Sequence, residues 1–109
     1  MAANLFTLDP APTFAWDVAL TAPGGESRPL RVVYRHMGKE RLARWRTEVA
    51  MRPESDELDI LLEVMAGWEN TDQPFSREAL SRLLDNHHRA AEELYLGFLQ
   101  GLAGARRGN

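Results

Sequence analysis

Apolar and polar residues alternate with a period of two over two early stretches of this chain, then give way to a period near 3.6. In the first stretch Phe14, Trp16, Val18 and Leu20 alternate with Ala15, Asp17 and Ala19, as a half-buried strand requires. In the second, Leu30, Val32 and Tyr34 alternate with Arg31, Val33 and Arg35. Between them, Thr21-Ala22-Pro23-Gly24-Gly25-Glu26-Ser27-Arg28-Pro29 has the chemistry of a turn. Its glycines take positive φ without penalty, and its prolines limit where pairing can begin. The pattern predicts an antiparallel hairpin over residues 13–36, with Phe14, Trp16, Val18, Leu30, Val32 and Tyr34 on one buried face. A lone hairpin is unstable in water, so that face must lie on helices or on a neighbouring subunit. Residues 1–12, with Pro10 and Pro12, read as an extended lead-in.

Helical spacing governs residues 38–103. Leu42, Trp45 and Val49 share one face of a first helix that Pro53 stops. Leu58, Leu61, Leu62 and Met65 fall at i, i+3, i+4 and i+7 of a second, with Ser55 placed to cap its start and Gly67 placed just past its end. Ser76 can cap a third helix whose face is Leu80, Leu83 and Leu84. Trp68 and Phe75 then bracket a polar loop and are expected to anchor the elbow between these two helices. After a break at Asp85-Asn86-His87-His88, Ala91, Leu94, Tyr95, Phe98 and Leu102 form the stripe of a last helix. Gly97 and Gly101 sit four apart in it, a spacing that outside a membrane reads as simple tolerance rather than a contact motif. Residues 104–109 are expected to fray. The expectation is a single α+β domain over residues 1–109, an N-terminal antiparallel β-hairpin packed on about four C-terminal helices.

Composition narrows the function. At 109 residues and 44% hydrophobic content the chain has a core to build without a metal or cross-link, and having no cysteine it has no thiolate zinc site or cysteine nucleophile. A formal charge of -3 argues against a nucleic-acid binder, and no stretch is long and apolar enough to span a bilayer. The opening residues lack the basic and apolar regions of a signal peptide, so a reducing cytoplasm is the expected compartment. Charge is segregated: Arg28, Arg31, Arg35, Lys39, Arg41, Arg44, Arg46 and Arg52 precede Glu54, Asp56, Glu57, Asp59, Glu63, Glu69 and Asp72. Loose pairing within the monomer, or complementary contact between subunits, would use that asymmetry. His88 and Glu92 share a helical face near Asp85, but adjacent His87 and His88 point different ways, so no metal site, cofactor site or catalytic residue is expected.

An acidic, leucine-rich helix ending in Gly67-Trp68, a polar loop, then Pro74-Phe75-Ser76-Arg77-Glu78-Ala79-Leu80 and Leu83-Leu84, resembles the central signature of the tail assembly chaperones of tailed bacteriophages and prophages. Ala90, Ala91, Leu94, Tyr95, Leu99 and Gly101 match that family's last helix, and Phe14-Ala15-Trp16-Asp17-Val18 with the Arg-rich second strand is similar to its opening hairpin. The loop after Trp68 is short, and the tail reads Arg106-Arg107-Gly108-Asn109 where a lysine-asparagine ending is more typical. The resemblance implies a non-catalytic protein of the host bacterial cytoplasm, absent from the mature virion, that binds the tape measure protein and tail tube subunits during tail morphogenesis. Two rivals are a structural tail-completion or head-tail joining protein and a small nucleic-acid-binding regulator. A hairpin and four short helices offer more apolar surface than so small a chain can cover. Tyr34, Leu94, Phe98 and Leu102 are the expected surplus, and with Trp68 and Phe75 they are the candidates for partner binding or for self-association as a homo-oligomer.

Overall fold

The computed structural model describes residues 4–104; residues 1–3 of the lead-in and residues 105–109 of the tail expected to fray lie outside the described residues. Strand β1 (Thr13–Thr21) and strand β2 (Ser27–Arg35) pair antiparallel from Thr13↔Arg35 to Thr21↔Ser27. Phe14 faces Tyr34, Trp16 faces Val32 and Val18 faces Leu30, so the six expected residues do share one face. Gly24 and Gly25 take φ of 94° and 96°, and the turn is closed by hydrogen bonds from the Ala22 and Gly25 amides to the Glu26 and Ala22 carbonyls. Pairing runs straight through Pro29, contrary to the limit expected of it. Arg31, of the same parity, turns its amide away from β1, so the missing Pro29 N–H falls on that far side and costs the β1 ladder nothing.

Four α-helices follow: α1 (Lys39–Ala50), α2 (Glu57–Val64), α3 (Arg77–Asn86) and α4 (Ala90–Ala103). A 3-10 turn (Glu54–Asp56) leads into α2. Ser55 lies inside that turn and caps nothing, whereas Ser76 accepts from the Ala79 amide at 3.0 Å as its spacing implies.

The largest departure from the sequence reading lies after Val64. Instead of a helix running on to a capping Gly67, residues Met65–Trp68 form β3, a third strand antiparallel to β2, in sheet order β1-β2-β3. Gly67 has no positive φ; it pairs with Val33. The register then steps from Gly67↔Val33 to Met65↔Tyr34, leaving Ala66 as the extra residue of a bulge. Met65 and Trp68 are three residues apart and would face opposite ways in a regular strand; the bulge turns both toward the inner face, against Tyr34 and Val32. The helix yields because the open edge of β2 offers ladder partners to a segment whose side chains fit the sheet. Accordingly the buried face of α2 is Ile60, Leu61 and Val64, with Leu58 and Leu62 only half-buried.

Helix α4 lies across the inner face of the sheet, and its glycines decide how closely. A Cβ on Gly97 would meet Val18 Cγ2 at 2.6 Å and the Tyr34 hydroxyl at 3.0 Å; one on Gly101 would meet Phe14 Cε2 at 2.6 Å and Trp16 Cγ at 3.1 Å. The pair is thus a helix-on-sheet contact motif rather than tolerated irregularity. In the gap Tyr34 is fully buried, donates to the Leu94 carbonyl at 2.8 Å, and links Phe14 and Phe98 at ring distances of 5.7 and 5.5 Å. Trp45 of α1 continues the row, edge-on to Phe98 and stacked on Tyr95. At the other end of β1 the Glu93 carboxylate accepts from both the Thr21 amide (3.0 Å) and the Thr21 hydroxyl (2.6 Å). Gly104 ends α4 in the left-handed conformation at φ 66°.

Alanine ordinarily favours a helix over glycine by about 1 kcal/mol. Gly97→Ala should reverse that sign and destabilise the fold by about 1–3 kcal/mol, the cost of overpacking, as measured by urea unfolding. Gly101→Ala should cost less, because a ring edge can swing aside while β-branched Val18 is stiff. A second expectation concerns alkali. Burial pushes the Tyr34 phenol well above the ordinary tyrosine range, so its neutral form stabilises the fold fully below the unfolded-state pKa of about 10, and that stability is lost as pH rises from there toward the folded-state value. In an alkaline titration followed at the phenolate absorbance, Tyr34 should ionise together with unfolding; Tyr34→Phe should remove that component at a cost of about 1 kcal/mol near neutrality.

Candidate functional site

The short β3 and the start of α3 are joined by a loop that the Trp68 ring organises. Its indole N–H donates to the Gln73 carbonyl at 2.8 Å, the Thr71 hydroxyl donates to the same oxygen, and the ring meets Phe75 edge-on at 5.0 Å and 87°. Asn70 fixes the loop to the sheet. Its side-chain oxygen accepts from the Arg31 amide at 2.7 Å and its side-chain nitrogen donates to the Pro29 carbonyl at 3.0 Å, continuing the β3 ladder where the backbone has left it. Across the loop, Arg77 at the head of α3 pairs with Asp59 of α2 at 2.7 Å.

Between this loop, one side of α3 along its whole length and Leu20 and Leu30 of the hairpin lies a cleft of about 520 Å³. Leu20, Leu30, Trp68, Pro74, Ala79 and Leu83 supply apolar wall, while Asp72, Glu78 and Arg82 stand at its polar rim. His87 also lines it, with its Nδ1 buried and without a hydrogen-bond partner. A cleft with apolar walls and a charged rim suits side chains of another polypeptide. A smaller groove of about 280 Å³ runs between the β1 edge and α4, beside exposed Leu96.

The residues expected to form a contact surface divide sharply. Tyr34, Leu94 and Phe98 are fully buried and are the centre of the core, so they present no surface in the folded chain. They are consumed because the glycines of α4 let the helix descend onto the sheet, covering apolar area that looked surplus in the sequence. Trp68, Phe75 and Leu102 are half-buried and remain accessible. Trp68 and Phe75 touch each other, but across a strand-to-helix loop rather than an elbow between two helices, because Trp68 lies in β3.

Segregated charge is partly paired within the chain. Arg31 bridges Asp17 at 3.0 Å and Glu69 at 3.4 Å, and Arg52 bridges Asp56 at 3.2 Å and Glu63 at 2.7 Å. Glu63 accepts in addition from the Trp45 indole at 2.8 Å, tying α1 to α2, and the hydrogen bonds that Arg52 donates to Glu63 and Asp56 raise its pKa further. Lys39, Arg41, Arg44 and Arg46 remain exposed along α1. Among the described residues no three His, Asp or Glu side chains converge as metal ligands would, and no helix is long and apolar enough to cross a membrane.

Sequence reasoning missed Asn70, Glu93 and the fit of the two glycines. Only the glycine spacing left a trace, since the first two act through partners 39 to 72 residues away in sequence.

A model of the family described as phage tail assembly chaperone matches residues 1–109. No curated protein and no solved structure matches the chain.

Trp68→Ala should remove the loop's organiser and one cleft wall together. The expected cost is about 3 kcal/mol in chemical denaturation, the low end for a large aromatic because the ring is half-exposed. Wild-type stability in that variant would mean the ring serves recognition alone.

Proposed function

The chain belongs to the phage tail assembly chaperone family, and on that premise we propose that it works without catalysis, binding the tape measure protein and tail tube subunits while the tail is built. The observation that carries this reading is the family match over residues 1–109. The cleft beside Trp68 supports it physically. A tape measure protein is a long helical chain whose apolar stripes would otherwise associate with one another, and covering them needs accessible apolar walls with a charged rim to set orientation. Trp68, Phe75 and Leu102 are the side chains assigned to partner contact, because they are the apolar members of the expected set that reach the surface. Tyr34, Leu94 and Phe98 serve that contact indirectly, as the rigid body beneath it. Action in the host cytoplasm, and release before the virion is complete, belong to the same proposal.

Co-expression with a tape measure fragment from the same genome tests it. The fragment should move from the pellet into a soluble complex that co-elutes with this protein, and mass spectrometry of purified virions should find the protein missing. A fragment equally insoluble with and without it, together with stable incorporation into virions, would establish a structural tail protein instead.

A further inference from the structure

The sheet guards one edge and leaves the other bare. β3 is four residues long and bulged, two of the usual protections of an edge strand. β1 instead runs nine residues in unbroken register with β2, with no proline, lysine or bulge. Arg31 directs both its amide and its carbonyl toward β3, to Asn70 and Glu69, so its antiparallel partner Asp17 directs both of its own away from β2. Thr13, Ala15 and Ala19 share that parity, and among the described residues nothing bonds the outward backbone groups of these four. Thr21 is next in the row, and its outward amide is taken by Glu93.

The groove of about 280 Å³ follows this bare edge, between Trp16 and Val18 of the strand and Leu96 and Gln100 of α4. A strand added to β1 would turn alternate side chains into that groove, where the walls are apolar, and the others to the outer face beside Asp17. Asp17 is the one charged residue of β1, and along the groove carboxylates outnumber cations, with Asp17, Glu92 and Glu93 against Arg89. Opposite charges across neighbouring strands stabilise the pair and like charges oppose it.

The structure also says what does not fit. Helix α4 stands over β1 itself, its glycines meeting Val18, Phe14 and Trp16 and its Glu93 reaching round to the edge amide of Thr21. A second copy pairing through its own β1 would bring its α4 over a strand roughly 4.8 Å away, whereas helix axes pack at roughly 8–10 Å. The nearest extended segment of the chain itself leaves the edge open, since Leu5, Phe6 and Leu8 are 74%, 89% and 88% exposed. What the edge admits is a strand that carries no helix above it.

We propose that the free edge of β1 takes up, as a fourth strand, an extended segment of a partner polypeptide that alternates apolar with basic side chains. Backbone bonding to Thr13, Ala15, Asp17 and Ala19 supplies the affinity, and the groove under Leu96 and the Asp17 carboxylate supply the choice of side chain. This surface is separate from the cleft beside Trp68, so its failure leaves the tail-assembly reading as it stands.

The probe is a synthetic heptapeptide alternating valine and lysine, titrated into the full chain and followed by fluorescence anisotropy and by amide hydrogen exchange. It should bind saturably and protect the Ala15, Asp17 and Ala19 amides. Residues bonded to the outward row carry their side chains on the outer face, so methylating the lysine amides should abolish binding while methylating the valine amides should leave it. Ala19→Pro removes one outward amide and, like Pro29, costs the β1 to β2 ladder nothing; it should weaken binding about tenfold at an unchanged urea midpoint. Exchanging the peptide's lysines for glutamates should weaken binding too, and Asp17→Lys should reverse that preference. The proposal is overturned if the peptide fails to bind, if both methylated peptides bind alike, or if protection falls on residues 71–87 of the cleft instead. It is equally overturned if the edge amides are already protected without peptide, whether in a dimer seen by light scattering or in a monomer that loses the protection when residues 4–8 are deleted.

Discussion

The fold rests on how closely α4 can approach the sheet. Two missing side chains, at Gly97 and Gly101, let the helix backbone reach within contact distance of Val18, Phe14 and Trp16, and the space left between helix and sheet is filled by one ring, Tyr34. The centre of the inner face, Val18, Val32 and Tyr34, is then buried inside the monomer. Phe98 becomes reachable from both sides, by Tyr34 and by Trp45, so α1 is drawn into the same core without lying on the sheet itself. The Glu93 clamp on Thr21 fixes the angle at which α4 crosses, holding the glycines opposite their partners. Tyrosine rather than phenylalanine at position 34 gives this dry site a direction, since its hydroxyl must find the Leu94 carbonyl.

The third strand has a comparable influence on the outer architecture. Because α2 stops at Val64 and the chain enters the sheet, Trp68 is delivered to the sheet edge instead of the tip of a helix, and the loop it organises leans over the open end of the inner face. The cleft exists because α3 begins on the far side of that loop, held off by Arg77 and Asp59. Core and cleft therefore have different makers: close packing by α4 along the length of β1, and a spaced loop beside β3.

Elements whose signal is local were legible in the sequence. The hairpin with its face, the Gly-Gly turn, the Ser76 cap and the α3/α4 break each depend on neighbouring residues, and each stands where periodicity and turn chemistry place it. What could not be read there depends on distant partners. Residues 65–68 have no alternation of their own; they become a strand because β2 has an edge to fill, and the bulge at Ala66 disguises the period. Gly97 and Gly101 carried the right spacing but no indication of what they would face. Tyr34, Leu94 and Phe98 were assigned to the surface by counting apolar faces, a count that could not include how far α4 sinks onto the sheet.

The direct passage from α2 into β3, with no connecting loop, limits where this chain can change its length. One residue added to or removed from α2 would turn the following segment by about 100° around the helix axis, and in the strand it would exchange the inward and outward faces. Met65 and Trp68 would then lose Tyr34 and Val32 as neighbours at once. Insertions and deletions should accordingly be tolerated in the Gly24-Gly25 turn, whose residues are exposed and whose ends are tied by two backbone hydrogen bonds, and be excluded from residues 57–68. Among related chains of differing length, the helix-to-strand junction is the ruler against which the others can be aligned.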